Sequence, residues 1–379
     1  MKNKITFLLL HLGYGGIETA TINTANALCN SYDIELVSLY NLKKNQEHEI
    51  KKNVKIVHLL DDEPNRREFI EAVKNLNILK TLKEGFKAIK ILILKKILIK
   101  KYIKKSDSKV IISTRYDFSA QLSKYKKVGC IAIAQEHHHH NNNKKYIKLL
   151  SHKYKNIDYL LALTNNLKKN YEFFLKNNNK TKIMVMPNMI FLPNERVELN
   201  NKNVISVGRL HKGKCVNELV DIVNKTSIIN KFYIIGDGDE YHNLQNQIKE
   251  LELNKKVELV GYKNKSEIKN YFKNSSLFLM ASVSEGLPMV LLEAMSYGIP
   301  CIAYENDSGV SDIIDNNKNG FIINNRNEEE FCSKIEKLLS DTKLLKSFSN
   351  ESIKKSKEFS KDIIVLKWKK LLDNCFSKQ

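Results

Sequence analysis

Ser284-Glu285-Gly286-Leu287-Pro288-Met289-Val290-Leu291-Leu292-Glu293-Ala294-Met295-Ser296-Tyr297-Gly298-Ile299-Pro300 follows directly on the apolar run Leu277–Ala281. Five consecutive apolar residues ahead of a glycine-proline loop read as a buried strand, and the stretch after Pro288 reads as a helix. Proline suits the first helical position, where a missing N–H costs nothing, and Gly298 with Pro300 behind it is a fitting stop. A helix that begins at the carboxyl end of a strand presents unpaired N–H groups there, which makes an anion site. Glu285 stands just before that end. Glu293 lies on the helix, where a carboxylate can accept two hydrogen bonds from a diol. A nucleotide sugar offers the matching groups: a diphosphate for the helix start, ribose hydroxyls for one acid and sugar hydroxyls for the other. By spacing alone, two solvated glutamates bracketing an ordinary helix are the plain alternative.

The same strand-then-helix alternation extends outward in both directions. Val204–Val207, Phe232–Ile235, Val257–Val260 and Cys301–Tyr304 read as further strands of one half. Ile5–Leu10, Ile34–Tyr40, Val54–Leu59, Val110–Ser113, Gly129–Ala134 and Tyr159–Leu163 read as those of another, with helical spacing over Ile17–Asn30. Such alternation implies parallel pairing. Met186–Glu195 holds two of the five prolines and reads as the connection between the halves. The expectation is an α/β chain of two Rossmann-like, doubly wound parallel-sheet domains facing across a cleft. Their bounds are 1–190 and 191–355, and residues 356–379, with a helix over Ser360–Phe376, cross back to the first domain. Ligands of such sheets bind at the carboxyl ends of the strands.

Other strand-end loops carry chemistry. Gly208-Arg209-Leu210-His211-Lys212-Gly213-Lys214 places cations between a strand and a helix. There they can neutralise a diphosphate, Arg by bidentate contact and Lys as a point charge. A solvated basic loop in a basic protein is the alternative. Gly236-Asp237-Gly238 is a tight turn at the corresponding place, and Gly261-Tyr262-Lys263 can line a base pocket through its backbone. Gly13-Tyr14-Gly15-Gly16-Ile17-Glu18 is not a dinucleotide fingerprint, because Glu18 stands where the third glycine belongs. Gly15 and Gly16 still permit close approach to a phosphate or sugar, or simply make a turn. In Gln135-Glu136-His137-His138-His139-His140, consecutive side chains diverge and lack metal-ligand spacing, so one histidine positioning a sugar hydroxyl is preferred over a metal site.

These residues resemble the retaining glycosyltransferase family 4, of GT-B fold and of the bacterial capsule, lipopolysaccharide and glycan-assembly type. The resemblance covers nearly the whole chain and is strongest from Val204 to Phe321. Its most specific segment, SEGLPMVLLEAMSYGIP, looks like the family's Glu-x7-Glu signature. The resemblance implies that Glu293 holds the donor ribose and Glu285 faces the transferred sugar. Gly286, Leu287, Met289 and Val290 join them in binding substrate. Arg209 and Lys214 match the diphosphate pair, with Lys212 as a competing alignment. Gly15 and Gly16 match the donor-contacting glycine loop. His137 matches the family's histidine, with His138, His139 and His140 as neighbours in register. Glu285, His137, Arg209 and Lys214 are the candidate catalytic residues. The family acts without a metal or other cofactor and retains the donor's anomeric configuration. The implied reaction moves a hexose or N-acetylhexosamine from a UDP-sugar to a lipid-linked glycan at the cytoplasmic face of the cell membrane. Two departures stand out: Pro288 replaces a common glycine, and Cys215 replaces the glycine that usually follows the lysine.

At 379 residues and 42% hydrophobic content the chain can bury two cores, and a net charge of +21 asks for an anionic partner. Lys80–Lys105 has Glu84 as its one acid and an apolar stripe of Leu79, Leu82, Phe86, Ile89 and Ile93. Such a segment can lie on an anionic membrane surface, or pack on a core with a solvated basic face. The six cysteines form no CxxC pair, which suits free thiols in a reducing cytoplasm. No run of about 18 apolar residues supports a spanning helix. No helix-turn-helix, zinc-finger or aromatic-basic motif supports nucleic-acid binding. The competing readings are a nucleotide-sugar epimerase or phosphorylase of the same shape and a catalytically silent scaffold subunit.

Overall fold

The computed structural model describes residues 2–13, 15–42, 49–61, 63–137, 143–306 and 309–377. The chain divides into two compact units. One comprises Met1–Ala162, Lys168–Met186 and Val365–Gln379; the other comprises Leu163–Leu167 and Pro187–Ile364.

The first unit is built on a parallel sheet of seven strands: β1 (Lys4–Leu9), β2 (Asp33–Tyr40), β3 (Val54–Leu60), β4 (Val110–Ser113), β5 (Ile131–Glu136), β6 (Tyr159–Ala162) and β7 (Lys182–Val185). Their spatial order is β3-β2-β1-β4-β5-β6-β7. β1 and β2 are buried almost end to end, as parallel strands covered on both faces must be, and Ile5 pairs with both Ile34 and Val110. The connections carry α1 (Gly16–Leu28), α2 (Arg66–Lys74), α3 (Ile78–Lys105), α4 (Tyr116–Tyr125), α5 (Lys144–Lys153) and α6 (Asn165–Phe174). β7 lacked a sequence signal because it is a half-exposed edge strand of four residues that starts on a lysine.

The second unit repeats the plan with six parallel strands: β8 (Asn203–Val207), β9 (Lys231–Ile235), β10 (Val257–Gly261), β11 (Leu277–Met280), β12 (Cys301–Tyr304) and β13 (Gly320–Ile323), in the order β10-β9-β8-β11-β12-β13. Its helices are α7 (Val216–Lys225), α8 (Tyr241–Glu250), α9 (Lys265–Lys273), α10 (Met289–Ser296), α11 (Val310–Ile313), α12 (Glu328–Ser340) and α13 (Thr342–Lys357). Val204, Leu219, Phe232, Leu277, Ile302 and Phe331 lie in its core. The last helix, α14 (Lys361–Phe376), belongs to the first unit from Val365 onward. There Trp368 packs edge-on against Phe7 at 6.2 Å and Asp373 accepts a hydrogen bond from Tyr32 Oη at 2.8 Å.

In each sheet the strand order reverses once, between β1 and β4 and between β8 and β11. Helices leave the sheet in opposite directions at such a point, so a crevice opens outside the carboxyl ends of those two strands. That topology decides which loops can meet a ligand.

Candidate functional site

In the second unit the reversal falls between the loops that carry the basic segment and the first glutamate. β8 ends into Gly208–Lys214, and β11 ends into the loop before α10. A hydrogen bond from Val283 N–H to Gly213 O (3.0 Å) ties the two loops together. Gly208, Arg209, Lys214, Ser282 and Val290 line one pocket at the carboxyl edge of the sheet. Lys214 Nζ pairs with the Glu285 carboxylate, and both side chains are largely buried. Lys212 instead lines a separate recess with Asn217, Glu240 and Asn243, so of the two lysines Lys214 is the one beside Glu285. Arg209 is exposed, and among the described residues its guanidinium makes no ion pair or side-chain hydrogen bond.

Three backbone features hold this arrangement. Gly236 and Gly238 have φ of 147° and 157°, and a Cβ on them would lie 1.8 Å from Gly208 O and 2.1 Å from Leu210 O. Only glycine lets the β9 turn press against the β8 loop so closely. Cys215 takes the left-handed conformation (φ 49°, ψ 40°) between the short 3-10 turn Lys212–Lys214 and α7. A cysteine there costs about 1 kcal/mol over glycine, the residue usual at this place in the resembled family. Pro288 is not the first helical residue, contrary to the sequence expectation. It is the N-cap, with ψ 84°, and its carbonyl accepts from Leu291 N–H at 3.0 Å. Its fixed φ suits the helix, but the turn out of the loop needs an extended ψ.

Behind Pro288, α10 turns Leu291, Leu292, Ala294 and Met295 into the core and leaves Glu293 half-buried. Desolvation raises the Glu293 carboxyl above its ordinary range, partly opposed by Lys265. Among the described residues its carboxylate makes no hydrogen bond, while the Glu293 backbone carbonyl accepts one from Ser296 Oγ at 2.6 Å. Met289 and Val290 occupy the open first turn and are half-buried, as is Gly286; the Leu287 side chain is buried, which leaves its backbone for any ligand.

Sequence reading passed over Arg326. It follows β13 in a polar run with no local signal. Its guanidinium donates to Glu218 Oε2 from Nη2 (2.6 Å) and Nε (3.1 Å), donates to Ala281 O (2.9 Å), and stacks 4.4 Å over the Tyr304 ring. Arg326 and Asn325 both have positive φ (51° and 53°), a strained turn that aims the side chain back across the sheet. The ends of β11 and β12 and the first turn of α7 are thereby clamped beside the pocket. Arg326→Ala should destabilise the chain by about 2 kcal/mol, by leaving Glu218 without its cation. Arg326→Lys, which keeps charge but not the fork, should recover only part of the melting temperature.

In the first unit, Gly15 and Gly16 open α1 beside the β1–β4 reversal. A Cβ on Gly15 would sit 2.0 Å from the Glu18 carboxylate, whereas one on Gly16 would meet open space. The chain's own Glu18 therefore occupies the space at Gly15. Glu18 is buried, and its carboxyl is raised by burial despite nearby Arg115. His11 Nδ1 lies 3.7 Å away, and burial together with Arg115 lowers its pKa, so burial opposes the charged form of both groups. His137 is buried directly after β5, next to Glu136. Tyr146 Oη donates to the Glu136 carboxylate at 2.8 Å and Tyr154 Oη donates to its other oxygen; burial raises this acid. Glu136 thus anchors the strand end that carries His137. His138, His139 and His140 lie outside the described residues.

Residues 191–355 match the family model described as glycosyl transferases group 1. The chain is 26% identical over 380 residues to an uncharacterized glycosyltransferase of Haemophilus influenzae, covering 97% of this chain and 99% of that protein. It is 30% identical over 221 residues to a 4-alpha-N-acetylgalactosaminyltransferase of Campylobacter jejuni, named for a diphospho-undecaprenol-linked substrate, covering 56% of this chain and 59% of that protein. Among solved structures, the lipopolysaccharide outer core galactosyltransferase WaaB superposes with a TM-score of 0.74 at 21% identity, over 99% of this chain and 100% of that one. Anabaena HepE in complex with UDP does so at 0.77 and 15% identity, over 98% and 100%.

Proposed function

We propose that this chain, a glycosyltransferase of the GT-B type, moves a hexose or N-acetylhexosamine from a UDP-sugar to a lipid-linked glycan, with retention, in the assembly of a cell-surface polysaccharide. The observation that carries this reading is the second unit's strand-order reversal. There an uncommitted Arg209, Lys214 and Val290 of the first turn of α10 line one pocket, and Lys214 pairs with Glu285 beside it. The diphosphate is assigned to Arg209, Lys214 and the α10 N–H groups, the ribose diol to Glu293 and the sugar hydroxyls to Glu285. Gly286, Leu287, Met289 and Val290 shape the donor site. Gly16 and His137 are assigned to the same reaction from the first unit.

A retaining transfer needs its leaving diphosphate stabilised as charge develops, and cations held in place beforehand supply that without reorganisation. The chemistry is proposed to need no metal or other cofactor. The lipid-linked acceptor reading draws on the Campylobacter relative, and an acceptor of that kind places the enzyme at the cytoplasmic membrane face. The basic 80–105 segment is proposed to meet the anionic head groups there. Among the described residues no helix is long and apolar enough to cross a membrane.

A thermal-shift screen of nucleotide sugars, followed by nucleotide-release assays with and without polyprenyl-diphosphate glycans, tests the reading. A UDP-sugar should raise the melting temperature. UDP should appear only when acceptor is present, equally with and without EDTA. Acceptor-independent conversion of the sugar would indicate an epimerase, and donor binding without turnover on any acceptor a silent subunit.

A further inference from the structure

Helices α2 and α3 form a hairpin whose tip is apolar and uncovered. Asn65 Nδ2 clasps the two helices by donating to Glu84 O (2.8 Å) and Glu84 Oε2 (2.7 Å), and the Phe69 ring lies beside Gly85. The buried residues of α3 are Ile91, Ile99 and Ile103, all from the middle of the helix onward. That part anchors the helix to the first unit, and the turns before it are half-buried or exposed. From Val73 to Lys80 every residue is exposed. Leu76 is 86% exposed, Leu79 82%, Ile78 75% and Phe86 73%, with Val73 and Leu82 beside them. Leu76 has φ +50°, which costs a leucine about 1–2 kcal/mol in a place where glycine or asparagine would pay nothing. A strained leucine held at the apex of an exposed apolar tip gains nothing for folding.

The charge around the tip selects what covers it. Lys74, Lys80, Lys83, Lys87 and Lys90 flank the apolar residues along the hairpin and outnumber the exposed Glu68 and Glu71 of α2, and Glu84 is engaged by Asn65. A second copy would bring these lysines against their own kind, which opposes association. An anionic bilayer accepts both features, because apolar side chains enter the boundary of head groups and acyl chains while each nearby lysine adds about 1 kcal/mol. We propose that the α2–α3 tip is a wedge that inserts into an anionic phospholipid bilayer, with Leu76 at its apex. This deepens the membrane-face reading above and rests on it. Surface attraction holds the lysine-rich length of α3 against the lipid, and the wedge adds a grip that salt does not screen.

The test is flotation of the full chain with vesicles of phosphatidylcholine alone and of phosphatidylcholine with phosphatidylglycerol, at low salt and at roughly 0.5 M, where the Debye length is about 4 Å. The wild type should bind the anionic vesicles and keep a measurable fraction at high salt. Leu76→Asp with Leu79→Asp should lower partitioning at least tenfold at both salts. Lys80→Glu with Lys83→Glu should lower it mainly at low salt. These positions are exposed, so an unchanged UDP-induced thermal shift verifies folding and keeps the donor-site reading separate. Binding that vanishes at high salt, or that survives the leucine substitutions, would leave charge attraction alone and overturn the wedge. Failure to bind anionic vesicles at all, or a dimer abolished by the same leucine substitutions, would overturn it as well.

Discussion

Replacing Arg209 with alanine should lower turnover about a hundredfold or more, the scale of losing one preorganised donor to developing charge. The two cations of the site are not equivalent. Lys214 is already engaged by Glu285, so part of its charge is neutralised before any ligand arrives. Arg209 is exposed at the end of β8, and among the described residues it has no acid to satisfy. Its full charge and its two-pronged geometry are available to the leaving diphosphate. The loss should fall mainly on kcat, because the interaction strengthens as the bond to the sugar breaks. Arg209→Lys should recover a minor part, since a point charge replaces a fork. An exposed side chain without partners contributes little to folding, so the melting temperature of Arg209→Ala should stay at the wild-type value. Steady-state kinetics near wild type in that variant would remove Arg209 from the mechanism.

Glu293→Gln should separate stability from donor binding. Burial raises the Glu293 carboxyl in the folded chain, so folding favours its neutral form. The stabilisation carried by that form is full at low pH and is lost as pH rises through the raised, folded-state value. At pH above that raised value the donor-free chain holds an ionised carboxylate at a cost, and there the amide, neutral at every pH, should raise the melting temperature. Donor affinity should move the other way. Losing a charged acceptor to the ribose diol costs roughly 1.5–3 kcal/mol, or about tenfold to a hundredfold. In the wild type, donor affinity should weaken as pH falls through the same raised value, and in Glu293→Gln this dependence should disappear. Calorimetric titration with UDP across pH, paired with melting curves, reads both effects. A variant that is less stable and binds UDP as wild type would make Glu293 a structural residue.

Both sheets were legible in the chain because most of their strands are short, largely apolar runs set between loops of glycine, proline and charge. Cys301–Tyr304 read correctly for that reason, as a parallel strand buried on both faces, whereas Ile34–Tyr40 read by its alternation, with Glu35 and Ser38 set among apolar residues. β7 and β13 escaped, the first as a half-exposed edge and the second as four residues opened by a glycine. Pro288 misled by one position, since its fixed φ is shared by a first helical residue and by this extended cap. Of the site, the residue types and the loops that hold them could be read from local chemistry. Which lysine joins Glu285 could not, because Lys212 and Lys214 are equal candidates in one dimension. Arg326 had no local signal either, since its partners Glu218, Ala281 and Tyr304 lie 22 to 108 positions away in the chain.

The chain by itself determined two parallel-sheet units and the strand-end loops that carry the acids and cations, because strand periodicity, glycine placement and helix stops are properties of neighbouring residues. The tertiary structure alone decided the Lys214–Glu285 pair, the Arg326 clamp, the desolvation of Glu293 and the uncovered α2–α3 tip. Each of these depends on which distant segments pack together and which side chains are left outside, and that is settled only when the sheets have formed and their cores have closed.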